Sequence, residues 1–102
     1  MSTILSIDTS EIHTAKVALT IGKKRFEKTS ESRTHKSQMV LPLIEDILSA
    51  HKVKLTDITE ITVATDSGSY TGLRVGASVA NALGFLLGIP VNGKKTLAIP
   101  TY

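Results

Sequence analysis

Two short stretches of the chain hold residue types that chemistry uses. The first is Asp8-Thr9-Ser10, which closes the apolar run Thr3-Ile4-Leu5-Ser6-Ile7. A carboxylate followed by two hydroxyls at a strand end can meet phosphate or metal-bound water, because ligands of mixed α/β sheets gather beyond the carboxyl ends of strands. The same three residues can equally make an Asx or Ser/Thr turn that bonds its own backbone. The second stretch is Asp66-Ser67-Gly68-Ser69-Tyr70-Thr71-Gly72-Leu73-Arg74-Val75-Gly76, where the β-like run Ile61-Thr62-Val63-Ala64 gives way to a long helical pattern. Gly68 suits a sharp turn, and Ser69 or Thr71 can accept from the free N–H groups of the following helix. A helix start of this kind either binds an anion or is merely capped.

Other chemistries find less support. His13, His35 and His51 have no second histidine or carboxylate at the spacing of a metal pair, and Met39 stands four residues after His35. Ser67 and Ser69 lack the G-x-S-x-G frame of a nucleophile elbow. The turn also departs from a phosphate loop of the G-x-x-x-x-G-K-[ST] kind, having no lysine.

The elements around these residues follow from periodicity. Thr14 to Ile21 alternates, Gly22-Lys23 reads as a hairpin turn, and Lys24 to Thr29 returns as an edge strand carrying Phe26. From Ser37 to His51 the period turns helical, with Val40, Leu43, Ile44, Ile47, Leu48 and His51 on one stripe. Pro42 lies too deep for the first turn of a helix begun at Ser37, so the helix is expected either to be kinked at Pro42, the preferred reading, or to begin near it. A fourth strand spans Glu60 to Thr65 and a second helix Tyr70 to Leu87; Ile89-Pro90-Val91 begins a fifth strand that Pro90 keeps short or at an edge. The order βββαβαβ predicts an α/β layer fold: a five-stranded mixed sheet, strands 1, 4 and 5 parallel, both helices on one face. Residues 1–93 form one lobe, and 94–102 a tail or the stub of a further helix.

Between Tyr70 and Gly88 the only formal charge is Arg74. A helix apolar nearly all round is normally covered on more than one side, and in so small a chain the second cover is another protein. Arg74, Asn81 and the small residues Gly72, Gly76, Ala77, Ala80 and Ala82 argue against a membrane span and let a neighbouring helix come close. The expected association surface comprises Val75, Val79, Ala82 and Leu86 on this helix, with Met39, Leu43 and Ile47 on the first. It would serve a homodimer when the chain is alone.

Composition bounds the rest. Twelve Lys+Arg against nine Asp+Glu give a net charge of +3, too little to argue by itself for nucleic acid. The basic run Lys23, Lys24, Arg25, Lys28, Arg33 and Lys36 reads first as a solvated edge that discourages strand pairing. Its second reading, an RNA-facing patch, lacks interleaved aromatics, so any contact with RNA is expected to be weak or indirect. There is no cysteine, hence no disulfide or thiolate metal site. No secretory pattern is seen at the N-terminus, and the cytoplasm is the expected location.

Ile7-Asp8-Thr9-Ser10, His35-Lys36-Ser37-Gln38-Met39-Val40-Leu41-Pro42, Gly68-Ser69-Tyr70-Thr71-Gly72-Leu73-Arg74-Val75-Gly76 and Leu87-Gly88-Ile89-Pro90 together resemble the successive motifs of the bacterial TsaB family. That family supports threonylcarbamoyladenosine formation on transfer RNA. The resemblance implies an actin-like, ribonuclease-H-type lobe with strand order 3-2-1-4-5. It implies a catalytically silent partner of the paralogue TsaD, which carries the ATP and metal, with the ATPase TsaE as third component. Gly68, Ser69, Thr71, Gly72 and Arg74 are its motif residues, and Asp8, Thr9 and Ser10 the remnant of a phosphate hairpin without its glycine. Asp66-Ser67 stands where the family has Gly-Pro, and the family's second lobe lies outside this sequence. A nucleotide-using enzyme lobe, or a peptidase-like paralogue, is the alternative; either would need metal ligands and a second lobe.

Overall fold

The computed structural model describes residues 2–11, 13–31, 36–65 and 70–94. Strand β1 (Thr3–Asp8) alternates buried and half-buried positions, sending Leu5 and Ile7 inward and Ile4, Ser6 and Asp8 to the opposite face. It is a central strand. Strand β2 (Thr14–Ile21) pairs antiparallel with it, and β3 (Lys24–Glu31) pairs antiparallel with β2. Gly22, at φ 58, takes the first turn position of the two-residue hairpin, where a side chain would be strained. Strand β4 (Glu60–Val63) runs parallel to β1 on its other side, so the sheet order is β3-β2-β1-β4.

Both helices cover the same face of this sheet, as their sequence predicts. Helix α1 (Lys36–Ala50) lays Val40, Leu43, Ile44, Ile47 and Leu48 over β2 and β3, while helix α2 (Tyr70–Leu87) lays Leu73, Ala77, Ala80 and Leu83 over β1 and β4. The core lies between the two layers. Each fully buried Leu or Ile there, such as Leu5, Ile7, Leu19 and Ile61, contributes about 1.5–3 kcal/mol against an exposed reference. Helix α1 continues through Pro42, whose side chain is on the exposed face, rather than starting beside it. It ends at Ala50, which leaves His51 in the turn, where its ring stacks on Phe26 of β3 with centroids 3.8 Å apart.

Each helix closes with the same device. After α1, Val53 N–H donates to Leu48 C=O at 2.9 Å and Lys52 N–H to Ser49 C=O at 3.2 Å, with Lys52 at φ 54; this is a Schellman turn. After α2, Gly88 at φ 66 takes the left-handed position and Ile89 N–H reaches Gly84 C=O at 3.1 Å.

The expected fifth strand is reduced to one residue. Val91 makes a single parallel bridge to Ile61, as Ile61 N–H donates to Pro90 C=O at 3.0 Å and Asn92 N–H donates to Ile61 C=O at 2.8 Å. Asn92 then turns away at φ 53, and its side-chain amide continues the ladder instead. Val63 N–H donates to Asn92 Oδ1 at 2.8 Å, and Asn92 Nδ2 donates to Val63 C=O at 3.0 Å. Residues 95–102, and with them the expected tail, lie outside the described residues.

Candidate functional site

The loop that follows β1 was one of the two candidate sites, and its hydrogen bonds show how it is used. Asp8 Oδ1 accepts from Ser10 N–H at 2.9 Å and from Ser10 Oγ–H at 2.5 Å, the self-bonded Asx turn of the second reading. Thr9 points the other way. It is fully buried; its hydroxyl donates to the carbonyl of Gly72 and accepts from the amide of Gly76 at 3.0 Å. Gly72 C=O and Gly76 N–H are four residues apart, the pair that a regular α-helix bonds to each other, so one hydroxyl of the strand-end loop reaches into the ladder of α2. Only a helix with no side chain here can come so near: a Cβ on Gly76 would lie 2.6 Å from Thr9 Oγ1, 3.2 Å from Val63 Cγ2 and 3.4 Å from Ile7 Cγ2.

Of the glycine-rich motif, Gly68 and Ser69 lie outside the described residues, as does the Thr71 side chain. Gly72 is buried on the inner side of α2, where it meets Thr9, and Arg74 is exposed. Among the described residues no group of three His, Cys, Asp or Glu could hold a metal ion.

On the sheet face away from the helices, Ser6, Asp8, Lys16, Arg25, Glu27 and Thr62 rim a hollow of about 410 Å³. Its charges are balanced: Arg25 pairs with Glu27 at 3.2 Å, and Thr62 Oγ–H donates to Ser6 Oγ at 2.7 Å.

The apolar association surface is only partly where the sequence puts it. Leu43 and Ile47 are core residues, 5% and 2% exposed, because the stripe of α1 that carries them is the one packed on β2 and β3. They are thus unavailable to a partner, a correction to the expectation. Met39 is half-buried with its sulfur 3.6 Å from Ser30 Oγ. Val75 and Val79 are half-buried against the core, whereas Ala82 and Leu86 are exposed. The residue missed is Phe85, 87% exposed beside Leu86 at 75%. The signal was present: Ser78, Ala82 and Phe85 are spaced four and three apart, a stripe that shares Ala82 with the expected one and precedes Val79 and Leu86 by one residue each. Gly76, Ala77, Ala80, Leu83 and Gly84 all face inward, which fixes that rotation. No helix among the described residues is long and apolar enough to cross a membrane.

Known proteins share both the sequence and the fold. Residues 28–100 match the family model described as TsaD, tRNA N6-adenosine threonylcarbamoyltransferase. The curated protein "tRNA threonylcarbamoyladenosine biosynthesis protein TsaB" of Buchnera aphidicola (subspecies Schizaphis graminum) is 31% identical over 96 residues, 94% of this chain and 45% of its own length. Its namesake from Haemophilus influenzae is 34% identical over 89 residues, covering 87% of this chain and 37% of its own. YeaZ from Pseudomonas aeruginosa superposes with a TM-score of 0.83 at 31% identity, covering 89% of this chain and 42% of the YeaZ chain. This agrees with the actin-like lobe that the motifs imply. The chain spans less than half the length of these relatives. By the match over residues 28–100 the chain belongs to the TsaD family, and it is similar over most of its length to the curated proteins named TsaB.

Proposed function

We propose that this chain is a non-catalytic lobe that binds and stabilises a TsaD-like paralogue in tRNA threonylcarbamoyladenosine formation. The observation that carries the proposal is the outward face of α2, where Phe85 and Leu86 stand 87% and 75% exposed beside Ala82. Two adjacent large apolar side chains this open to water on an almost uncharged helix are the kind of surface that association buries. Ser78 and Ala82, the small residues exposed on the same side, favour a partner helix at close range. In this reading ATP and metal sit on the TsaD-like partner, a TsaE-like ATPase is the third component, and transfer RNA meets this chain weakly or indirectly. The assembly works in the cytoplasm. Without the paralogue, the same face makes a homodimer.

What supports a non-catalytic role at the strand-end loop is that Ser10 is bonded to Asp8 Oδ1 and the Thr9 hydroxyl is spent on α2. Phe85→Glu and Leu86→Glu are the decisive variants. Each is expected to fold, because neither side chain belongs to the core, and to weaken capture of a TsaD-like paralogue by tenfold or more in calorimetric titration. Wild-type affinity in both variants would move the interface elsewhere. Sub-micromolar binding of ATP with magnesium by the chain alone would favour the enzyme reading instead.

A further inference from the structure

We propose that Thr9 is a positioning residue for the partner-binding face: by bridging Gly72 and Gly76 it sets the height of α2 above the sheet, and so the pose of the residues on its outer side. The inference rests on the partner-binding reading and adds a residue that no partner touches. Three observations carry it. The Thr9 hydroxyl is fully buried and uses both its donor and an acceptor site on the two backbone groups of α2. The approach is close enough that any Cβ at position 76 would collide with Thr9 Oγ1. The far end of the same helix face is seated just as tightly, since a Cβ on Gly84 would lie 2.5 Å from Val91 Cγ2. Helix α2 is therefore held at two points, eight residues apart on its inner side, and one of these points is a hydrogen bond that chemistry can remove.

The consequence for the outer face is geometric. An O–H···O contact spans about 2.7–2.8 Å, whereas a methyl group against a carbonyl oxygen needs about 3.3–3.6 Å, so Thr9→Val should lift the first turns of α2 by about 0.5–0.9 Å. Because a helix moves as a rod, lifting its first turns about the Gly84 contact displaces Val75 and Val79 most and turns the orientation of Phe85 and Leu86 with them. The apolar face is then tilted and no longer matches its partner. Thr9→Ser keeps the hydroxyl and the bridge.

The test is run on the 102-residue chain with the TsaD-like paralogue as titrant. In Thr9→Val, backbone amide shifts should change from Gly72 through Val79, and partner affinity should fall about tenfold; Thr9→Ser should restore both toward wild type. Should Thr9→Val not fold, Thr9→Ala combined with Gly76→Ala replaces it, with a methyl in the space of the lost hydroxyl and the same result expected. Shifts confined to the immediate neighbours of position 9, or undiminished affinity in a folded bridge-less variant, would overturn the proposal. If wild type itself captures no paralogue, the functional reading fails, and the spread of the amide shifts alone decides whether Thr9 positions α2.

Discussion

Asn92 does with one side chain what a strand does with its next residue. Its amide group both accepts from Val63 N–H and donates to Val63 C=O, so the edge of β4 is closed even though the backbone has already turned at φ 53. Sequence reading missed this because Ile89-Pro90-Val91 carries a strand signal, and nothing local reveals that the following asparagine takes over the ladder. Asparagine is the residue suited to the task, since it tolerates a left-handed backbone and carries a donor and an acceptor in the spacing of a peptide group. The two contributions separate experimentally. Asn92→Gly keeps an easy left-handed backbone and loses the two bonds; Asn92→Ala loses both. Each is expected to cost about 1–3 kcal/mol in urea denaturation, with alanine the worse. A glycine variant as stable as wild type would show that the side-chain bonds contribute nothing. Phe26 illustrates the reverse case: the sequence marks it as the main apolar residue of its strand, but its partner, the ring of His51, comes from a helix stripe that stops one residue short.

At the scale of elements, the order of the periodic segments was enough to place both helices on one face, because each inward stripe (Leu5 and Ile7, Val17 and Leu19, Ile61 and Val63) keeps its period; the order of the strands came with the family resemblance. The rotation of α2 was harder to read. Its inner side is built from Gly76, Ala77, Ala80 and Gly84, small residues that bury against other chains as readily as against a sheet, so size alone could not say which face is inside. The tertiary contacts at Thr9 and Val91 decide it. The helix ends were half legible: Gly88 announces a stop, whereas Lys52 does not. A lysine at φ 54 is held there by the Schellman bonds against its own preference. Lys52→Gly is therefore expected to raise stability by about 0.5–1 kcal/mol, the left-handed cost removed less the extra entropy of an unfolded glycine. A melting temperature unchanged or lowered would mean that the lysine stem makes up the difference through packing.

Taken whole, the molecule has one dressed face and one bare one. The helices cover the first; the second shows the hollow rimmed by Asp8, Lys16, Arg25 and Glu27, beside an edge strand whose basic residues are largely exposed. The ion pairs, Arg25 with Glu27 on this surface and Lys28 with Asp46 of α1 at 3.5 Å on the helix side, are exposed enough to contribute at most about 1 kcal/mol each. Stability thus comes from the layer between sheet and helices, and that layer hangs on β1. One neighbour of β1, strand β2, is next to it in the chain, but the other, β4, follows Thr59, whose hydroxyl accepts from Thr3 N–H at 3.0 Å and donates to Thr3 C=O at 3.0 Å, across 56 residues of sequence. Time enters here. A strand whose two partners are so unequally distant has to zip with the near one first and wait, with its second edge open, until α1 and the turn after it have brought β4 back. Gly22→Ala, which strains the hairpin, is expected to slow refolding, while Asn92→Ala, which loosens the last piece to dock, is expected to leave refolding almost unchanged and speed unfolding. Stopped-flow chevrons of the two variants check this order. If the effects exchanged limbs, docking of β4 would precede the hairpin, and the open edge of β1 would be the side that faces β2.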